Sequence, residues 1–113
     1  MRSILFLLVI SLVSCNENAK TNYKLVKIDS SEMGNKTATK YFVDNNDNRK
    51  KINLYFWDNG KVMTKAVFYD NLKDGDWEFF SITGKLKSVV RFKKNKLIKT
   101  IDYDTSGNII NND

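Results

Sequence analysis

Between Leu54 and Asn95 the chain says one thing twice, and a phrase repeated at that length restricts the fold to a stack of like units. Phe56 stands four residues before Gly60 and Phe80 four before Gly84, each glycine followed by lysine. A second aromatic follows each glycine by eight residues, Phe68 and Phe92, and Asn71 and Asn95 close the two copies. The spacing extends outward. Gly34, Phe42 and Asn45 keep the eight-and-three interval, and Gly107 follows Tyr103 by four, so the glycines recur at intervals of 26, 24 and 23 residues. The outer copies are degenerate, as terminal repeats are when only one side of them is covered.

A strand's period of two sorts each copy into faces. Val62, Thr64, Ala66 and Phe68 fall on one side, with Lys61, Met63, Lys65, Val67 and Tyr69 on the other. In the second copy Leu86, Ser88, Val90 and Phe92 alternate with Lys85, Lys87, Val89, Arg91 and Lys93. A helix needs apolar residues three and four apart, which neither copy offers. Glycine-containing turns separate the strands at Asp58-Asn59-Gly60, Asp74-Gly75-Asp76 and Thr83-Gly84-Lys85. Further strands are expected over Tyr23 to Ile28, Thr37 to Asp44 and Ile52 to Trp57. The expected fold is all-β, an antiparallel repeat sheet of stacked β-hairpins, forming one small domain over residues 23–113. At about 90 residues its core is marginal, so Trp77 and Phe80 are expected to be buried, alanine at either costing about 3–5 kcal/mol.

Two aromatics, a few polar residues, Gly-Lys-Leu, then an aromatic, Asn, Asp-Gly and Trp make a pattern that resembles the MORN-repeat variant of bacteria. The best matches are Asp74-Gly75-Asp76-Trp77-Glu78-Phe79-Phe80 and Gly84-Lys85-Leu86. The resemblance covers about half the chain well and implies a meander of stacked hairpins in one elongated, twisted sheet. The chain departs from it where Asn71-Leu72-Lys73 and Asn95-Lys96 replace the usual Asn-Gly, and where Thr100 stands in the place of Trp77. Some relatives of that kind carry the label of antitoxin components, a name with little mechanism in it.

Residues 1–15, MRSILFLLVISLVSC, join one positive charge at Arg2 to an apolar run from Ile4 to Val13. A membrane-spanning helix needs about 20 apolar residues, so this shorter run reads as the core of a signal peptide. Leu12-Val13-Ser14-Cys15 is similar to the lipobox of bacterial lipoproteins. That resemblance implies removal of residues 1–14 and lipidation of Cys15, on its sulfur and its amino group. The plainer alternative is a secreted protein with a stray cysteine. Cys15 is the only cysteine in the chain, so no disulfide scaffold is available. Residues 15–22 then form the lipidated cysteine and a polar tether, reaching about 25 Å when extended. The implied address is the bacterial cell envelope, with the outer membrane favoured because Asn16 is not an inner-membrane retention aspartate.

The chain contains no histidine, which removes His-assisted nucleophiles and the common zinc sites. Asp76 and Glu78, two apart on a strand, have the carboxylate spacing of an inverting glycosidase at about 7 Å, or are simply a solvated charged face. Asp102-Tyr103-Asp104-Thr105-Ser106-Gly107, with Ile109 and Asp113, matches the opening of a calcium loop, although strand-like flanks replace its helices. Asp44-Asn45-Asn46-Asp47-Asn48 is a poorer version of the same loop, because Arg49 takes its sixth position. The aromatics from Tyr55 to Phe80 suit either a core or a platform for sugar or peptide.

Charge is the most suggestive feature. The whole chain carries a formal +6, and without Arg2 it holds 18 basic and 13 acidic residues. Lys85, Lys87, Arg91, Lys93, Lys94, Lys96 and Lys99 crowd into fifteen residues with no acid among them. Lys85, Lys87, Arg91 and Lys93 share a strand face and form the candidate anion-binding set, with Lys87 and Arg91 at its centre. Such lysines also keep a sheet soluble and discourage edge pairing. The functional expectation is a noncatalytic envelope lipoprotein, held to a membrane through Cys15, whose sheet presents a binding surface to anionic lipid or an acidic envelope polymer. Neither a cofactor nor nucleic acid enters that reading. The rival is a structural lipoprotein with no specific ligand, and an enzyme stands third.

Overall fold

A computed structural model describes residues 22–29 and 37–113. Cys15 and Gly34 lie outside the described residues, as do the expected leader and all of the expected tether except Asn22. The described residues run as nine strands: β1 (Tyr23–Asp29), β2 (Thr39–Asp44), β3 (Lys50–Phe56), β4 (Val62–Tyr69), β5 (Leu72–Lys73), β6 (Gly75–Phe80), β7 (Leu86–Lys93), β8 (Lys96–Tyr103) and β9 (Ile109–Asn112). All pair antiparallel in one sheet of order β1-β2-β3-β4-β6-β7-β8-β9, with the short β5 continuing the β6 edge against β4. Each strand lies beside its neighbour in sequence, the meander that local hairpins produce. Among the described residues no helix is long and apolar enough to cross a membrane.

Two kinds of turn alternate, one at each end of the strands. At the glycine rim, residues 57–61, 81–85 and 104–108 share one geometry. In the first of them Gly60 N–H donates to Trp57 O at 2.9 Å and Trp57 N–H to Lys61 O at 2.8 Å. Gly84 with Ser81 and Lys85, and Gly107 with Asp104 and Asn108, repeat that pair of bonds. The glycines take φ of 88°, 95° and 91°, the left-handed position that ends a type I turn in a glycine bulge. At the opposite asparagine rim the turns are Asp70-Asn71 and Lys94-Asn95, with φ of 54° and 65°, and of 48° and 71°. Both central residues are left-handed without glycine. At Asp70, Asn71 and Asn95 this accounts for the departure from Asn-Gly, since Asn and Asp tolerate that conformation through local hydrogen bonds, whereas Lys94 adopts it without that help.

Asp74-Gly75-Asp76 is therefore not a hairpin turn. It is a break in the strand that starts as β5 and resumes as β6, with Asp74 N–H donating to Val67 O at 3.2 Å. Gly75 sits there at φ 113°, and a Cβ on it would come within 3.2 Å of Val67 Cγ1. Gly75→Ala is expected to destabilise the protein by about 1–3 kcal/mol. Gly60→Ala meets no neighbour within 4 Å and is expected to cost about 1 kcal/mol, so urea midpoints of the two variants should separate.

The bulges also move two side chains across the sheet. Phe56 pairs with Val62 and Phe80 with Leu86, each one residue out of the preceding register. Val62 therefore joins Leu54 and Lys65 rather than Thr64 and Ala66, because a one-residue slip exchanges faces.

The sheet has one layer, and only Ala66 is fully buried among the described residues. This corrects the expectation of a core containing Trp77 and Phe80, which are both half-buried. Stability comes instead from contacts across strands. Trp77 packs edge-on between Phe68 and Phe92, with ring centroids 5.3 Å from each, and its Nε1–H donates to Val67 O at 2.8 Å. Basic side chains cover rings that no second layer protects. The Lys73 ammonium lies 5.3 Å from the Trp77 ring centre and 5.1 Å from that of Phe92, and Lys40 and Lys27 lie over Phe56 and Tyr41. Long basic side chains suit this task because their stems are apolar and their heads stay wet.

Candidate functional site

Register places the candidate basic residues on the face opposite Trp77. In β7, Arg91 pairs with Asp76 on one side and with Lys99 on the other. Its Nε donates to Asp76 Oδ1 at 2.7 Å and its second terminal nitrogen to Oδ2 at 3.2 Å, a two-pronged ion pair. The acid that offsets the basic run is thus fifteen residues away in sequence and adjacent in space. Arg91 acts first as a cross-strand partner, which removes it from the centre of a free cationic stripe.

The other three members of the set separate. Lys85 belongs to the turn before β7, and its Nζ donates to Thr105 O at 3.0 Å. Lys87 is exposed at the bulge beside it. Lys93 ends β7 at the asparagine rim, about 20 Å from Lys87 at a strand's rise per residue. There it pairs across the hairpin with Lys96, next to Lys94, and it lines a concavity of about 390 Å³ with Tyr23, Lys50 and Tyr69. Asn22 O accepts from Asn45 N–H at this same rim, and Tyr23 at the start of β1 shares the concavity with Lys93.

The Arg91 guanidinium, chiefly by hydrogen bonding, holds the Asp76 carboxyl below the usual aspartate range. A glycosidase's general acid needs the opposite shift, and Glu78 faces Lys65 at 4.0 Å across an open sheet. The contribution of the Asp76–Arg91 pair is present above the ordinary aspartate pKa and fades as pH falls through the lowered one. Both side chains are about half exposed, so the effect on stability is small. NMR titration is expected to give Asp76 a midpoint below that of ordinary aspartates, and Arg91→Gln should return it upward.

The residues that match a calcium loop are occupied by the sheet. Asp102 Oδ1 accepts from Ser88 Oγ at 2.6 Å and Oδ2 from Asn111 Nδ2 at 3.1 Å, bonds that also lower its pKa. Asp104 Oδ1 caps its own turn, accepting from the backbone N–H groups of Ser106 and Asn108 at 2.9 Å each. Asp113 pairs through its backbone with Thr100. Asp44 Oδ1 likewise accepts from Asn46 and Asp47 N–H, closing the β2–β3 loop. Among the described residues no three acidic, histidine or cysteine side chains form a metal-binding group.

Sequence reasoning missed a groove on the Arg91 face at the glycine rim. It measures about 620 Å³ and lies between the 81–85 turn and the start of the 104–108 turn, with Leu86, Lys87 and Tyr103 along it. Its signal was present in the spacing of Gly84 and Gly107, which sets the two turns side by side. Compared with known proteins, the chain matches no family model, no curated sequence and no solved structure.

Proposed function

We propose that this protein is a noncatalytic lipoprotein of the bacterial envelope, anchored through Cys15, whose MORN-variant-like sheet receives an anionic envelope component. The lipobox-like Leu12-Val13-Ser14-Cys15 supports the anchor, and the outer membrane is the favoured address. The observation that carries the binding role is the set of lysines without acidic partners. No hydrogen bond or ion pair among the described residues engages the ammonium groups of Lys87, Lys93, Lys94, Lys96 or Lys99, while Arg91 is held by Asp76. Three of these, Lys93, Lys94 and Lys96, crowd one turn at the asparagine rim, the end of the strands at which β1 begins. Cations within a Debye length of an anionic surface contribute about 1 kcal/mol each. The rival structural role is favoured by Lys27, Lys40 and Lys73, which cover aromatic rings and are thereby spoken for.

An unlipidated chain beginning at Asn16 should bind vesicles containing phosphatidylglycerol and release them between low and physiological salt. Replacing Lys93 and Lys96 by glutamine should weaken that binding about 30-fold. Equal binding to neutral phosphatidylcholine, or indifference to the double change, leaves the structural role.

A further inference from the structure

The repeat supplies its own standard for what the fold requires. Between the first two glycine-rim turns the gap is bridged from within. Trp57 reaches across so that its Nε1–H donates to Phe80 O at 3.3 Å, and Asn59 Nδ2 donates to Ile82 O at 2.8 Å. The groove left there, about 460 Å³, is lined mainly by Leu54, Val62, Phe80 and the lysines around them.

One repeat later the same positions change chemistry. Ser81 stands where Trp57 did and is too short to span the gap, so its hydroxyl bonds Thr83 Oγ1 at 2.8 Å within its own turn. Lys87 replaces Met63, Tyr103 replaces Phe80, Asp104 replaces Ser81 and Thr105 replaces Ile82. Lys87, Tyr103 and Thr105 each bring a polar group to a position that is apolar one repeat earlier, Asp104 brings a charge where Ser81 has a hydroxyl, and all four line the larger groove of about 620 Å³. A volume of that size matches a small-molecule site.

The geometry points to a binding site for an anionic pyranose, a sugar ring bearing a phosphate or a carboxylate. This rests on the reading of the sheet as a receptor for an anionic envelope component, and it adds a second contact, at the rim opposite Lys93 and Lys96, that selects an acidic sugar unit. The ring's C–H face packs on Tyr103 and Leu86, the apolar part of the groove. Its anionic group meets Lys87, whose ammonium has no partner among the described residues, and Lys85, which spends one of three ammonium protons on Thr105 O. Of the paired Ser81 and Thr83 hydroxyls only one proton is consumed between them, leaving the other to donate. Asp104 Oδ1 is taken by two turn amides, so its second oxygen accepts from a sugar hydroxyl. Two ammonium groups against one carboxylate leave the groove positive, which selects an acidic sugar over a neutral one.

The test is an amide-shift titration of the nitrogen-15-labelled full chain in detergent micelles with glucose 6-phosphate, glucuronic acid, glucose and inorganic phosphate. At least one acidic sugar is expected to shift residues 81–87 and 103–105, binding about tenfold tighter than glucose or phosphate. The stronger of the two acids tells which anion is preferred. Lys87→Met and Ser81→Trp restore residues that the preceding repeat carries at the same positions, so folding should persist while the first removes the preference and the second blocks the groove. Acidic sugars no tighter than phosphate, shifts centred instead on the 93–96 turn, or unchanged binding in folded Lys87→Met would overturn the proposal. If vesicle binding survives any of these results, the groove alone fails and the broader receptor role stands.

Discussion

A Cys15→Ala variant is expected to leave the detergent phase entirely and partition with water, whereas the parent chain stays with detergent. The size of that effect follows from lipid chemistry. Each buried methylene contributes about 0.8 kcal/mol, so the two or more acyl chains implied at Cys15 hold firmly, and their loss leaves little to replace them. After removal of residues 1–14 the sequence offers no apolar run of membrane-spanning length. The exposed apolar residues, such as Leu97 and Ile98 in β8, Ile110 in β9 and Leu25 in β1, are spread over both ends of the sheet and are short pairs rather than a spanning run. A variant that still enters detergent would refute the lipobox reading, and with it the envelope address.

Trp77→Ala should be the most damaging single change inside the sheet, lowering stability by about 3 kcal/mol. It removes two edge-to-face contacts, with Phe68 and Phe92, each contributing about 0.5–1.5 kcal/mol beyond the area they cover. It also removes the indole bond to Val67 O, about 1 kcal/mol more, and uncovers the ring on which Lys73 rests. Phe80→Ala forfeits half-buried area but no comparable ring contact, so its cost should be smaller. Urea unfolding of both variants ranks them. Equal losses would mean that area, rather than the Phe68–Trp77–Phe92 row, governs the sheet. A loss below about 1 kcal/mol at Trp77 would instead favour the ring as an exposed ligand platform.

Both expectations depend on how far the fold can be read from its residues. Period-two alternation in Val62–Tyr69 and Leu86–Lys93, with glycines every 23 to 26 residues, was enough to give an all-β sheet of hairpins, because alternation and turn chemistry are local. The same locality explains the error at Asp74-Gly75-Asp76. Glycine there signals a positive φ, which a turn and a strand break use equally, while the actual turn at Asp70-Asn71 takes its left-handed pair without any glycine to mark it. Facing was legible only up to each bulge, since Val62 and Leu86 change sides through a slip that depends on the partner strand.

The sequence by itself determined the hairpin repeat, the absence of histidine chemistry, the basic excess and the single cysteine in its lipobox-like setting. It could not determine burial. Whether an aromatic is buried depends on a second layer, and the described residues form none, so Trp77 and Phe80 are half-buried among them. Nor could it decide which cations are free. Arg91 lies in a stretch without acids, yet antiparallel pairing sets Asp76 directly opposite it, and only register across strands brings those two charges within 2.7 Å. The groove of Ser81, Lys87 and Tyr103 is likewise a product of adjacency, since two turns more than twenty residues apart become neighbours when each hairpin stacks on the last.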